Sequence, residues 1–268
     1  MIHKLLTILA TGLYFAAGVG LTARLARCPI GDRMRTLSLG AATMAVIAHA
    51  FVLWHTVLNG HGLSLGFFNA ASLIGFLMAA LLLLANLFRP LANLGVIILP
   101  LAGLAALLSF FFGGLGSARE PIGSEVDLHI LLSVLAYSTL GIAAVQALLL
   151  AVQEHQLRHR RPGGFVSTLP PLQTMEDLLF RILRLGFFIL TLALLSGLFF
   201  VHDLFAQHLV HKTVLSIVAW VVFGVLLWGR ARFGWRGQTA IRWTLGGFVL
   251  LALAYFGSKL VLELIIGR

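Results

Sequence analysis

The chain is short of the residues on which soluble proteins rely. It has one cysteine, Cys28, in 268 residues, so it builds no internal disulfide and no CxxC dithiol relay. Nine carboxylates stand against nineteen Lys and Arg, and only 10% of residues are charged, where a soluble domain carries about a quarter. No Asp, Glu, Lys or Arg lies near the middle of any long apolar run, which disfavours a proton-driven carrier. No general-base carboxylate stands in a metal motif, and no nucleophile has a base at useful spacing, so an enzyme is not expected. No segment pair argues for an inverted-repeat transporter. The longest connection, about 153 to 178, contains Pro162-Gly163-Gly164 and Leu169-Pro170-Pro171 and is too short and polar for a core of its own.

What the chain has is apolar length. Hydrophobic residues make up 60% of it, and its mean hydropathy is +1.01. Apolar runs fall at roughly 5 to 23, 37 to 58, 67 to 88, 91 to 112, 128 to 152, 182 to 201, 213 to 228 and 243 to 262. Each is near the ~20 residues with which a helix crosses ~30 Å of hydrocarbon. Unpaired backbone amides are not left in lipid, and the period-2 alternation of barrel strands is missing, so the runs are helices. The expected fold is an all-α, polytopic membrane protein of eight transmembrane helices in a single domain, 1–268.

Orientation follows from the cations. The turn after the first helix holds Arg24, Arg27, Arg33 and Arg35, and the third turn holds Arg89. The fifth holds Arg158, Arg160, Arg161, Arg181 and Arg184, and the seventh Arg230, Arg232, Arg236 and Arg242, which puts fourteen of nineteen positive residues on one side. Lys4, Arg119, Lys212, Lys259 and Arg268 remain on the other, beside Glu120, Glu125, Asp127 and Asp203. The positive-inside rule then places both termini outside, in the periplasm, and the protein in the inner membrane. A net charge of +10 reads as topology and contact with lipid headgroups; no nucleic-acid partner is expected.

Local signals refine this picture. The first run has the single Lys4 and apolar stretch of a signal, and Leu25-Ala26-Arg27-Cys28 loosely resembles a lipoprotein box that Arg27 spoils, so it is read as a retained outside-in helix. Gly12, Ala16 and Gly20 form a small-residue stripe suited to close helix packing. Pro100 removes a donor inside the fourth helix. Thr174, followed by Glu176 and Asp177, resembles the N-cap of the sixth.

Histidine carries the chemistry. Of ten histidines, His3, His55, His61, His129, His202, His208 and His211 fall on the outer side of this topology. His155 and His159, beside Arg158, Arg160 and Arg161, read as a solvated basic surface. His49 lies mid-helix in Ala48-His49-Ala50, where an imidazole without a partner costs on the order of several kcal/mol. It therefore bonds to Ser, Thr or a carbonyl, or serves as a haem ligand. His129, Ser133 and Tyr137 share a helical face at steps of four, as a polar strip or as an interfacial anchor. His208 and His211 lack a Cys or carboxylate that completes a zinc set.

These residues resemble a family when taken in order. The chain reads His49 … Leu53 … Gly60-His61-Gly62-Leu63-Ser64 … Asn69, then His129-Ile130-Leu131-Leu132-Ser133 … Ala136-Tyr137. It continues Phe180-Arg181 … Gly186-Phe187 … Leu190-Thr191-Leu192 … Gly197, then His211-Lys212-Thr213 … Ala219-Trp220 … Gly234-Trp235-Arg236-Gly237 … Ala254-Tyr255-Phe256-Gly257. Over nearly the whole chain this is similar to the cytochrome c assembly protein family, the CcsA/CcmC/HemX group, and within it to short bacterial inner-membrane members of the YpjD type. The resemblance implies haem handling, with haem b held by histidines near the periplasmic face. His129 matches the first periplasmic haem histidine and His49 a transmembrane one, while Phe51, Trp54 and Phe67 offer an apolar surround. The tryptophan-rich WWD segment of larger relatives is missing, replaced by His202-Asp203-Leu204-Phe205 … His211-Lys212-Thr213, and no histidine stands near the last helix. His211 or His202 is the candidate opposing ligand. The implied role is a haem-binding component of cytochrome c assembly or haem metabolism, with membrane lipids, haem, and cytochrome c maturation or haem-biosynthesis proteins as partners. The alternative is a HemX-like regulator or accessory subunit acting through its basic cytoplasmic turns without bound haem.

The topology is open to a direct check. An alkaline phosphatase fused after Arg268 is expected to be active, and a green fluorescent protein fused after Arg161 to fluoresce. The reverse pattern overturns the orientation.

Overall fold

The computed structural model describes residues 2–25, 31–57, 65–88, 91–113, 124–159, 169–200, 210–257 and 259–260. Every regular element among them is helical: α1 (Ile2–Leu25), α2 (Gly31–Thr56), α3 (Phe67–Phe88), α4 (Ala92–Phe112), α5 (Ser124–Arg158), α6 (Leu172–Phe200), α7 (Val210–Phe233) and α8 (Gln238–Ala252), the last continued by a π-helical turn over Leu253–Gly257. Eight helices are long and apolar enough to cross a membrane. Their outward faces are apolar, with Phe88 81% and Trp54 64% exposed, while Thr11, His49, Asn69, Gln146 and Thr244 are buried. A polypeptide in water keeps such large apolar side chains covered; in hydrocarbon they are the solvated face.

The helices divide into two compact units, α1 to α4 and α5 to α8. In the first, Tyr14, Ala17 and Leu21 of α1 pack with Ala42 and Ala45 of α2, Ala79 of α3, and Leu99 and Ala102 of α4. The buried face of α1 therefore runs Ala10, Tyr14, Ala17, Leu21, a spacing of four, three and four residues that stays on one side of a helix. This corrects the stripe expected from sequence. Gly12 and Ala16 are exposed, and of the three only Gly20 meets a neighbour, Ser38 and Met34 of α2. The packed face mixes the bulk of Tyr14 and Leu21 with the small Ala17 and Gly18, so that large side chains fill the space that small ones leave between helices. Pro100 has a packing partner of its own: its ring lies over Gly18, where an added Cβ would come within 2.7 Å of Cγ. Asn69 links α3 to the end of α4, donating to the Gly113 carbonyl at 3.1 Å and accepting from Ser109 Oγ at 2.7 Å.

In the second unit α5 packs against α6 and α8, and α7 against α6 and α8. With 35 residues, α5 is about 52 Å long at 1.5 Å per residue, so its end carrying Gln153, Glu154 and Arg158 extends past a ~30 Å hydrocarbon layer. Thr174 is not the cap of α6. The helix opens at Leu172, and the Pro171 carbonyl accepts the first helical bond, from Met175 N at 3.1 Å. Proline suits that edge because its φ is already near the helical value. The acidic residues instead hold the α7–α8 turn. Glu176 accepts the Gly237 N–H at 2.7 Å, Glu154 accepts from Gln238 at 3.0 Å, and Asp177 meets Arg230 at 3.4 Å. That turn carries Gly234 and Gly237 at φ 69° and 56°, values that L side chains avoid.

The contact between Gly18 and Pro100 gives a stability test. Alanine at position 18 gains roughly 1 kcal/mol of helix propensity, but its methyl meets a rigid pyrrolidine ring, and overpacking of this kind costs about 1–3 kcal/mol. Gly18→Ala is expected to lower the thermal unfolding midpoint in detergent, and Pro100→Ala in the same chain to restore part of the loss. A midpoint that rises in Gly18→Ala, as helix propensity alone would give, overturns the contact.

Candidate functional site

The second unit forms a half-open cavity of about 440 Å³, within the ~300–1,000 Å³ range of small-molecule sites. Its wall is assembled from helical periodicity. Helix α5 contributes His129, Ser133 and Tyr137, α7 contributes Lys212, Thr213, Ser216 and Trp220, and α8 with its π-helical turn contributes Leu251, Ala254 and Tyr255. From α6 come mostly leucines and alanine, with Thr191 and Gly197. Among the described residues the result is an apolar space with the His129 imidazole and Lys212 on its wall.

His129 is held from one side. Its Nδ1 lies 3.0 Å from the Ala193 carbonyl and 3.1 Å from Ser196 Oγ, and Ser196 Oγ itself donates to the Ala193 carbonyl at 2.8 Å. A nitrogen facing a carbonyl oxygen must carry the proton, so the neutral ring keeps its lone pair on Nε2. Ligating histidines have this arrangement, with one nitrogen donating to a carbonyl and the other basic and oriented. Gly197 makes the fit possible: an added Cβ there would stand 2.9 Å from Cε1 and 3.3 Å from Nδ1 of His129.

The opposite walls are fixed by their own bonds. Trp220 donates its indole N–H to Thr191 Oγ1 at 2.9 Å, Thr191 donates to the Phe187 carbonyl at 2.8 Å, and Phe187 stacks on Trp220 at 5.5 Å and 17°. The one polar atom of the indole is thereby satisfied, and the ring serves as a flat apolar wall. Tyr137 donates its hydroxyl to the Leu251 carbonyl at 2.6 Å and accepts from the Tyr255 backbone N–H. It thus bridges two groups that an α-helix joins directly, and the helix runs on as the π-helical turn Leu253–Gly257. A side chain inserted into the ladder is a known cause of such a distortion. Tyr255, on that turn, packs against Tyr137 at 6.1 Å and lies under the Lys212 ammonium at 5.9 Å.

The remaining histidines are placed differently. His49, in the first unit, is completely buried, with Nε2 2.9 Å from Ser72 Oγ and Nδ1 3.3 Å from the Tyr14 hydroxyl. Tyr14 and Phe76 meet its ring edge-on, at 5.7 and 5.5 Å. Both its nitrogens are bonded within α1, α2 and α3. His211 is exposed at the start of α7 and is not on the cavity wall, whereas its neighbour Lys212 is. His202 lies outside the described residues. Phe51 and Trp54 are exposed. Sequence reasoning assigned no role to Lys212, Ser196 or Gly197. The signal for Lys212 was its isolation among the few cations of the cation-poor side, four and eight residues before Ser216 and Trp220 on one helical face.

The fold defines a multi-pass membrane protein with a small-molecule cavity among four of its helices. Comparison with known proteins supplies the family: the model of the cytochrome c assembly protein family matches residues 37–266, and the chain belongs to that family. Inner membrane protein YpjD of Escherichia coli (strain K12) is 35% identical over 237 residues, covering 86% of this chain and 88% of its own length. An uncharacterized 28.8 kDa protein of Azospirillum brasilense is 37% identical over 147 residues, 54% of each chain. The cytochrome c biogenesis protein CcsA of Chlamydomonas reinhardtii is 24% identical over 140 residues, 51% of this chain and 38% of its own. No solved structure gives a significant match. With its eight apolar helices and these relatives, the protein is a multi-pass inner-membrane protein.

The close approach of Gly197 to His129 generates a test of the site's geometry. Gly197→Ala is expected to push the imidazole off the Ala193 carbonyl, visible as a changed His129 ring resonance in selectively labelled protein, with helical content unchanged. An unmoved resonance overturns the proposed packing.

Proposed function

We propose that this protein is an inner-membrane haem-handling component of cytochrome c assembly or haem metabolism, acting as one domain and holding haem b at His129. The observation that carries the reading is the tethered imidazole, with Nδ1 donating to the Ala193 carbonyl from a ring that lines an apolar cavity. Family membership and the similarity to a protein named for cytochrome c biogenesis support it. The residues present suit the group, with an imidazole base at His129, a flat aromatic wall at Trp220 and leucine-rich surroundings. When bound, haem would supply an iron that takes a nitrogen ligand, which His129 would provide. The protein's part is to orient His129 through Ala193 and Ser196, exclude water with α6, and keep Trp220 in place through Thr191.

His49 stands second as a haem ligand. Its Nε2 already bonds to Ser72, so an iron there must displace that bond. His211 and His202 remain candidates for the opposing ligand, His211 from the same end of α7 as Lys212. Orientation is supported within the second unit, because α5 and α7 begin with His129 and Lys212 and end with Arg158, Arg230 and Arg232. On the positive-inside rule the cavity then lies near the outer face, and both termini are outside. The proposed role is carriage of haem without a catalytic step. Partners are membrane lipids and proteins of cytochrome c maturation or haem biosynthesis. The alternative is a haem-free regulator working through its basic turns, where Arg158 pairs with Glu154 and Arg230 with Asp177.

Protein purified from haem-replete cells is expected to show a Soret band that is reduced several-fold in His129→Ala and restored in part by added imidazole. Colourless protein that takes up no haem on titration overturns the reading.

A further inference from the structure

The Gly234-Trp235-Arg236-Gly237 turn is built more firmly than a simple connection requires. It joins two helices of membrane-crossing length, Val210–Phe233 and Gln238–Gly257, and therefore stands at one membrane surface. Gly234 and Gly237 take positive φ. The Trp235 carbonyl accepts from Arg230 Nη1 at 3.2 Å, the Trp235 N–H reaches the Gly229 carbonyl at 3.3 Å, and the Gly237 N–H reaches Glu176 at 2.7 Å. The Trp235 ring lies against Gly229, where an added Cβ would fall on the ring itself. These contacts fix the backbone of the turn and leave the Arg236 side chain exposed.

Arg232, Arg236 and Arg242 are all exposed, and among the described residues none of their guanidinium groups has a hydrogen bond or ion pair. The carboxylates at this end of the unit are engaged elsewhere: Glu154 with Arg158 and Gln238, Glu176 with Gly237, and Asp177 with Arg230. Residues 160–168, which lie outside the described ones, include no Asp or Glu. Beside the cations runs a chain of aromatic rings, Trp228 to Phe233 at 5.2 Å, Phe233 to Trp235 at 6.4 Å and Trp235 to Trp243 at 5.4 Å. Indole rings collect at headgroup level, where one side is apolar and the other wet. One helical turn beyond Arg242, on the exposed face of α8, Gly246 has open space beside it. An acyl chain fits such a recess.

We propose that this turn is a binding site for an anionic phospholipid, with Arg236 and Arg242 on the phosphate and the Trp235 and Trp243 rings against the glycerol and upper acyl chain. A guanidinium presents its donors in a planar fork that matches phosphate oxygens, and it is more weakly hydrated than an ammonium. Arginines that only set topology need no preset backbone. A ligand site gains from one, because little ordering is left to be done on binding. The proposal rests on the reading of membrane lipids as partners and narrows them to one class. It stands apart from the cavity and owes nothing to haem.

Full-length protein in a neutral detergent is titrated with phosphatidylglycerol and with phosphatidylcholine of the same acyl chains, and bound lipid is counted by native mass spectrometry. The first phosphatidylglycerol is expected to bind about tenfold more tightly than the first phosphatidylcholine, the size of one charge-assisted bond. Arg236→Gln combined with Arg242→Gln is expected to remove that preference with helical content unchanged, since both side chains are exposed. Arg181→Gln combined with Arg184→Gln, at two exposed arginines of α6, is expected to keep it. Equal binding of the two lipids by the unaltered protein overturns the site without need of a variant, and so does a preference that survives the loss of Arg236 and Arg242. A preference lost to the same extent in the α6 variant assigns it to diffuse surface charge and overturns the site as well. Displacement of the lipid by glycerol 3-phosphate at matched concentration gives the arginines to a soluble phosphate, again overturning the proposal. The haem reading fails separately. A lipid preference in protein without a Soret band rejects haem and keeps this site, and a Soret band without the preference does the reverse.

Discussion

Every polar group in this chain has to find its partner inside the protein, because the surroundings of its helices offer none. The constraint is visible at small scale in the hydroxyls. Thr7, Thr22, Thr43, Ser138, Thr139, Thr191 and Thr244 each donate to the carbonyl four residues earlier on their own helix, a local bond that needs no neighbour. It acts at larger scale on the histidines, tyrosines and glutamines, which reach across to other helices. Among the described residues the exceptions are Arg35 Nε and the Oε1 atoms of Gln146 and Gln153, which are buried without a protein partner. Unpaired polar atoms cost more in low dielectric than paired ones gain, so these bonds decide which helix faces meet.

The same constraint separates His49 from His129. His49 has satisfied both nitrogens, and in doing so joins α1 to α2 through Tyr14 and α2 to α3 through Ser72. His129 has satisfied one, against α6, and its ring sits on the wall of a cavity. A histidine with both nitrogens bonded is a structural hub, and one with a single oriented bond is ready to act as a base or ligand. In a family of cytochrome c assembly proteins that difference gives the two residues unequal standing, although both occupy apolar helices.

The two ends of the second unit carry opposite solutions to charge. At one end Glu154, Glu176 and Asp177 converge on the α7–α8 turn, bonding Gln238, Gly237 and Arg230. The carboxylates there are internal fastenings, and Gly237 at positive φ lets its N–H turn toward Glu176. At the other end Lys212 lies over the Tyr255 ring, 5.9 Å from its centre.

Much of this was legible in the sequence. Eight apolar runs near membrane length fixed the number and class of the elements, since hydrocarbon thickness and backbone hydrogen bonding leave no other regular solution. The step-of-four spacing of His129, Ser133 and Tyr137 placed all three on one face, and all three line the cavity. Helix faces were less legible. The glycine stripe of α1 and the cap at Thr174 both failed, because small residues and hydroxyls are permissive at many positions while the packed face is chosen by bulk on neighbouring helices. Gly197 and Ser196 carry no side-chain chemistry that singles them out, and their roles exist only as distances to His129 and Ala193, which lie from three to 68 residues away along the chain. Sequence alone determined that this chain is a bundle of membrane-spanning helices carrying histidine in apolar surroundings, because those are properties of single segments. Tertiary structure decided which histidine keeps a basic nitrogen beside a cavity, because a hydrogen bond between helices depends on how their faces are brought together.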